Sequence, residues 1–361
     1  MLFFPTTIFE FIGDYAQLTV LRRVSKHFRI TIVRCCVTQL VMNSDNRYAL
    51  KACAKYLKIL ACPKSKLYQL PPLPNVRVLE CYDNRLTCLP DLPNVEILKC
   101  SDNPITTLPA LPKVKTLQCY FTELYALPDL PSIVELDCSN TDIAVLPNLP
   151  NVIRLECHKT NLTRLPPLPK ATFLDCSDNR LTQLGNIENV RTLQCENNNI
   201  FDMPAVLAHA IEVLCYNNHI QELSKLPKVR LLDCCDNHLP VLPALPKVRR
   251  LVCSRNILTA LPVLPVIKNL DCSANQIRQL PKLPKAIAIR CTGNFLEVLP
   301  DLPCVISLYC DFNRLSVLPA MPNIEELECS HNEIIHFPNY PTLQMFKGHH
   351  NLVSIPPVII N

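Results

Sequence analysis

The chain has no tryptophan and only four glycines among its 361 residues. So few glycines essentially exclude the Gly-rich loops that cradle phosphates. No Cys-x-x-Cys pair occurs, which removes the usual spacing of a zinc site. His-Glu-x-x-His is missing too, and no Ser/His/Asp constellation stands out. The formal net charge of +5 is too small to argue for nucleic acid or a membrane surface. Met1–Tyr15 holds Pro5, Glu10 and Asp14 and no basic run, so it makes a poor signal peptide. The best apolar stretch, around Ile30–Met42, is short and contains Arg34, so no transmembrane helix is expected. No cofactor or metal is expected either.

Cysteine, by contrast, is abundant and regularly placed. From Cys81 to Cys329, fourteen cysteines follow one another at gaps of nineteen residues, with a single gap of twenty between Cys195 and Cys215. Cys62 extends the series upstream, and Gly348 takes the next slot downstream. A period of this length predicts stacked solenoid coils, one supersecondary unit per coil. A solenoid offers a long surface instead of a cleft, which points to binding. Equivalent residues on neighbouring parallel strands lie about 4.8 Å apart, a little far for a disulfide. The ladder therefore reads as reduced thiols packed in a core, which implies a reducing, cytoplasmic compartment.

The second coil reads Val76-Arg77-Val78-Leu79-Glu80-Cys81-Tyr82-Asp83-Asn84-Arg85-Leu86-Thr87-Cys88-Leu89-Pro90-Asp91-Leu92-Pro93. Apolar residues alternate around the cysteine, which predicts a strand with one face buried. Leu-Pro-x-Leu-Pro follows on the return side. Proline fixes φ and lacks an N–H, so this side should be extended and polyproline-like. Asparagine stands three residues after the ladder position in twelve coils, from Asn84 to Asn351. Thr122, Thr141 and Thr160 replace it in three consecutive coils and Ser65 in the first. A short amide there should bond backbone groups that the turn leaves unpaired.

This pattern resembles the leucine-rich repeat, L-x-x-L-x-L-x-x-N-x-L. Val76, Leu79, Cys81, Asn84 and Leu86 fill its slots in order, with cysteine for the third leucine. The resemblance covers about residues 58–357. It implies a leucine-rich-repeat solenoid with a parallel β-sheet on the concave face and a polyproline-like convex side. The short repeats are similar to those of secreted bacterial effectors and some large DNA viruses. Such effectors can carry a separate catalytic domain; this chain runs to Asn361 in repeats, so no enzyme is expected. The narrow convex side predicts a shallow arc, and about fifteen coils predict an array on the order of 70 Å long.

Three regions stand apart. Residues 44–60 carry an apolar stripe, Ala49, Leu50, Cys53, Tyr56, Leu57 and Leu60, at helical spacing, which predicts an N-terminal capping helix. Between Leu184 and Leu226 the prolines lapse and Ala205–Ile211 carries the extra residue, which predicts a short helical turn. At the end, Val358-Ile359-Ile360-Asn361 shows no cap, leaving apolar surface for a partner or a second copy.

Residues 1–43 have a different composition, with helix-like spacing. Pro5, Ile8, Ile12, Leu18, Leu21, Val24 and Phe28, with Tyr15 and Ser25-Lys26-His27, follow the order of the F-box motif. The segment resembles an F-box with a shortened spacing from Tyr15 to Leu18. That resemblance implies docking onto a Skp-type adaptor of a cullin–RING ubiquitin ligase, with the solenoid selecting substrate. The alternative is that residues 1–60 form only an extended cap on an interaction scaffold.

Side chains next to each buried strand position should line the concave face. Its centre reads acidic, with Asp137, Glu156, Asp175 and Asp233, while Tyr82, Tyr120, Phe121, Tyr216, Tyr309 and Phe312 supply aromatic anchors for a protein partner. A regular lysine edge at Lys113, Lys170, Lys228, Lys247 and Lys285 reads as a solvated face. His331, His349 and His350 are brought together by the period and read as a surface cluster.

Overall fold

The computed structural model describes residues 39–41, 50 and 54–352. The chain divides into two compact units, Met1–Ile143 and Ala144–Asn361.

The first unit holds strands β1 (Gln39–Val41), β2 (Ile59–Ala61), β3 (Val78–Glu80), β4 (Ile97–Lys99), β5 (Thr116–Gln118) and β6 (Glu135–Asp137). They pair in chain order, parallel, with Leu60 opposite Leu79, then Leu98, Leu117 and Leu136. In the second unit β7 (Arg154–Glu156), β8 (Phe173–Asp175), β9 (Thr192–Gln194), β10 (Glu212–Leu214), β11 (Leu231–Asp233) and β12 (Arg250–Val252) continue the pattern. They are followed by β13 (Asn269–Asp271), β14 (Ala288–Arg290), β15 (Ser307–Tyr309), β16 (Glu326–Glu328) and β17 (Met345–Lys347). Neighbours again pair parallel, Leu251 opposite Leu270 and Ile289 opposite Leu308.

Each strand is three residues long because the buried alternation lasts only that far. The central leucine points inward and its neighbours are left at the surface, as in Val78–Glu80. The cysteine that follows is inside as well. Cys62 to Cys138 in the first unit and Cys157 to Cys329 in the second have no exposed surface. The cysteine N–H also belongs to the ladder: that of Cys272 donates to the Arg290 carbonyl at 2.8 Å. No disulfide joins the described cysteines.

Two residues beyond each cysteine the backbone turns left-handed, with φ of 54° at Asp83 and 52° at Asp178. The next residue, asparagine, repairs the turn. Asn84 Nδ2 donates to the carbonyls of Cys62 and Cys81, and its Oδ1 accepts from the N–H of Ser65 and Leu67. One amide thus ties two coils together. Thr122, Thr141 and Thr160 donate to their own coil's cysteine carbonyl at 2.7, 2.8 and 3.0 Å.

The return side has neither helix nor named strand. Its leucines, such as Leu73, Leu92 and Leu283, close the core from the side opposite the sheet. A chain without regular hydrogen bonds suits this side because proline has no N–H to leave unpaired.

Three expectations change. Gln39–Val41 lies within the stretch read as F-box-like, yet it is a strand, paired in register with Ile59–Ala61. The helix expected over 44–60 gives way, in its described part, to one 3-10 turn at Ala54–Tyr56 followed by β2. Leu60 is the reason: its spacing fits a helical stripe, but it fills the leucine slot of the repeat. No helical turn forms around Ala205–Ile211 either. Asp202 bridges Gln183 and Glu222, and Val206 bridges Lys225, so the additional residue is absorbed in extended backbone. Residues 1–38 and 353–361, which include the F-box-like positions and the uncapped end, lie outside the described residues. Among the described residues no helix is long and apolar enough to cross a membrane.

Candidate functional site on the open sheet face

Burial of the central leucine and the cysteine leaves most residues on either side of them partly open to solvent along the sheet, while Asp175 and Ser101, Ser139, Ser177 and Ser254 are buried. In the first unit this face carries Tyr82 and Asp137, both half-buried, and Tyr120 packed edge-on to Phe121 with ring centroids 5.9 Å apart. Phe121 is 57% exposed although it is a large apolar ring. Lys99 and Glu80 pair across adjacent strands at 2.8 Å.

In the second unit the face begins with Glu156, which binds Arg154 at 2.8 Å, while that guanidinium lies 3.7 Å from the centre of the Phe173 ring. Asp175 is buried. It accepts from the Ser177 N–H and hydroxyl at 3.1 and 2.7 Å and lies 3.2 Å from His158 Nδ1. Asp233 accepts from the Cys235 N–H at 3.2 Å.

Between these two aspartates sits Glu196, the most perturbed carboxyl on the face. Burial pushes it up to about 7, assisted by the neighbouring charges of Asp175, Asp178 and Asp233 and opposed by its own backbone N–H. Its Oε2 is buried with no hydrogen-bond partner among the described residues. Tyr216 is pushed up as well, first by burial and then by Glu196, Asp178 and Asp233. Four carboxyls and a phenol therefore share one part of the sheet, and the region is poised to gain from a cation.

The far part of the face is aromatic. Arg290 lies 4.5 Å from the Tyr309 ring, and the Tyr309 hydroxyl donates to Glu326 at 2.6 Å. Phe312, His331 and His350 form a stack, with ring centroids 4.3 Å apart at each step and planes within 16°. His349 stands beside them in sequence. Among the described residues no group of three or more side chains is arranged to hold a metal ion.

The sequence reading named Asp175, Tyr216 and Asp233, and the structure places them around a common centre. Reading the columns missed that centre: Glu196, Asp178 and His158 occupy positions just after the cysteine, and tabulating those columns would have shown them. A second feature lies at the irregular coils. A cleft of about 510 Å³ is lined by Thr182, Asn199, Phe201, His219, Gln221 and His238, with Phe201 stacked on His219 at 5.5 Å.

No family model matches the chain, and no curated protein matches it. Solved structures do. YopM from Yersinia enterocolitica WA-314 is 28% identical over 98% of this chain and 89% of that one, with a TM-score of 0.73. The leucine-rich effector YopM of Yersinia pestis is 25% identical over 95% and 100%, with a TM-score of 0.68. The functional domain of InlJ from Listeria monocytogenes, which includes a cysteine ladder, is 23% identical over 73% and 64%, with a TM-score of 0.60. With the parallel in-register strands and the asparagine and cysteine ladders, these likenesses establish the fold as a leucine-rich-repeat solenoid.

Proposed function

We propose that this protein is a non-catalytic binding solenoid that holds a protein partner on the open face of its sheet. The observation that carries the reading is the environment of Glu196. Burial, and after it the charges of Asp175, Asp178 and Asp233, disfavours the ionised Glu196 carboxyl, and a cationic group from outside would relieve it. Exposed aromatics such as Phe312 supply the anchors that binding surfaces use. The buried thiols, with no disulfide among the described cysteines, suit a reducing compartment, which we take to be the cytoplasm of the producing or host cell.

In the fuller form of this proposal, the residues before Gln39 act as an F-box-like tether. Pro5, Ile8, Ile12, Leu18, Leu21, Val24 and Phe28 would dock a Skp-type adaptor, and the solenoid would present substrate to a cullin–RING ubiquitin ligase. The test is binding of a purified Skp-type adaptor to the full chain and to an Ile8→Asp/Ile12→Asp variant. Adaptor binding lost only in the variant supports the tether; a full chain that ignores the adaptor sinks it.

A second reading, a scaffold or decoy without a ubiquitin link, is favoured by one observation. Gln39–Val41 pairs with β2 and so belongs to the solenoid, not to a separate helical module. That leaves only residues before Gln39 for a tether.

A further inference from the structure

Two residues past each ladder position, the backbone of every described coil of the repeat is left-handed. The residues there range from Asp83 and Asn140 to Phe312 and His350, at φ of 50–57°, and one coil has glycine instead, Gly293 at 68°. Asp, Asn, Lys, Phe and His all tolerate this conformation here, so the turn does not require glycine at 293. A Cβ built on Gly293 would meet nothing nearer than the Ala274 backbone at 3.7 Å. What glycine provides is an empty place in the row.

That place borders the ring stack. His331 covers one face of Phe312, at 4.3 Å. The other face looks along the row toward Gly293 and then Ala274, and no ring or guanidinium among the described residues lies on it. Phe312 is 57% exposed. The next long side chain in the row, Arg255, is turned away and bound to Asp236 at 2.7 Å. Two adjacent coils with almost no side chain, at about 4.8 Å each, leave room for one planar group about 3.5 Å thick.

The surroundings select a cation. Asp311 adjoins Phe312 and gives one oxygen to the Ser330 N–H at 2.8 Å; Asp271 gives one to the Ser273 N–H at 3.0 Å. Neither is in ion-pair contact with a basic side chain among the described residues. The chain itself repeatedly lays guanidinium groups on its aromatic rings, at 3.7 Å for Arg154 on Phe173 and 4.5 Å for Arg290 on Tyr309. Arginine is planar and weakly hydrated, so it stacks and pairs with carboxylates at once.

We propose that the uncovered face of Phe312, above Gly293 and Ala274, is a socket for an arginine side chain of the partner protein. The socket rests on the reading of the sheet face as a binding surface and names one residue type the partner must present.

The absence of tryptophan gives a clean probe, because Phe312→Trp in the full chain is the only indole. Its fluorescence is titrated with three capped tripeptides, Gly-Arg-Gly, Gly-Lys-Gly and Gly-Phe-Gly. The arginine peptide should bind about two- to fivefold tighter than the lysine peptide. Adding Gly293→His, which extends the ring stack into the gap, should remove that preference. Where that variant does not fold, Gly293→Asn, matching Asn140 and Asn217 in conformation, should reduce it. Equal binding of arginine and lysine, tighter binding of phenylalanine, no binding, or indifference to filling the gap would each overturn the socket. The two proposals fail separately. A partner that holds the sheet face equally well in the gap-filled variant removes the socket alone. Arginine selectivity in the tripeptides, with no partner on the face, removes the broader reading.

Discussion

The side-chain oxygen of Asn275 accepts a hydrogen bond from the backbone N–H of Leu258, 3.0 Å away and seventeen residues earlier in the chain. The same amide donates to the carbonyls of Cys253 at 3.0 Å and Cys272 at 3.1 Å. One side chain thus satisfies groups from two coils at a site with almost no access to water.

Asn275→Ala should therefore cost about 2–4 kcal/mol, because it strands the Leu258 N–H and removes a donor from three carbonyls, that of Ser273 included. Asn275→Thr should cost about half as much, since threonine at this position keeps the bond to its own coil's cysteine, as Thr122 does. Urea unfolding of the three proteins measures both. Equal losses for alanine and threonine would show that the bond to the coil's own cysteine carbonyl contributes nothing.

Cys272 has no exposed surface and packs within its own coil's core. Cys272→Ala should cost about 1 kcal/mol for the lost sulfur contact, whereas Cys272→Leu should cost about 1–3 kcal/mol by overpacking. The ladder prefers cysteine because it is apolar and small. Thermal melts that rank leucine above cysteine would remove that explanation.

Thiol chemistry should separate the cysteines by place. Burial pushes Cys100 and Cys291 up to about 12, and others on the ladder, such as Cys272, are also well above the ordinary thiol value. Cys88 and Cys304 are exposed. Iodoacetamide at pH 8, mapped by peptide mass spectrometry, should modify Cys88 and Cys304 in native protein within minutes. Cys62 to Cys329 on the ladder should react only with unfolding. Rapid native labelling along the ladder would contradict the buried row.

Glu196 makes stability depend on pH in the direction opposite to a salt-bridged acid. Its folded value, about 7, is above the ordinary carboxyl value of 4.5. Between those two values the folded state holds a proton that the unfolded state has released. The favourable contribution is complete below pH 4.5 and is lost as pH rises through about 7. Glu196→Gln should then raise stability at pH 8 by about 1 kcal/mol, the partial exposure of the carboxyl screening the rest, and leave stability at pH 4 nearly unchanged. Melting temperatures of the two proteins across pH 4–8 give the answer. Parallel curves would mean that Glu196 is not strained.

Much of the fold was legible because each coil meets the same constraints as the last. Leu79, Cys81, Asn84 and Leu86 recur in register, and a period of nineteen leaves little choice but stacking. The ends were harder to read. Leu57 and Leu60 fit a helix by spacing, and only the pairing of Ile59–Ala61 with Val78–Glu80 shows that Leu60 belongs to the sheet. Ala205–Ile211 misled for a related reason: a lapse in proline permits a helix but does not demand one. Neighbouring coils already offered extended partners, at Lys225 for Val206.

The candidate site divides in the same way. Composition and period place Asp175, Tyr216 and Asp233 on the open face, because inward positions are filled by leucine and cysteine. They do not fix which way a side chain leans once it is outside. Glu196 Oε2 without a partner, Phe312 stacked on His331, and the gap over Gly293 all depend on packing between coils, through distances of a few ångströms that no single coil contains. The sequence by itself determined a stacked, parallel solenoid, because its buried pattern repeats. Tertiary structure alone decided where that surface is strained, stacked or empty, because those properties arise between residues nineteen apart.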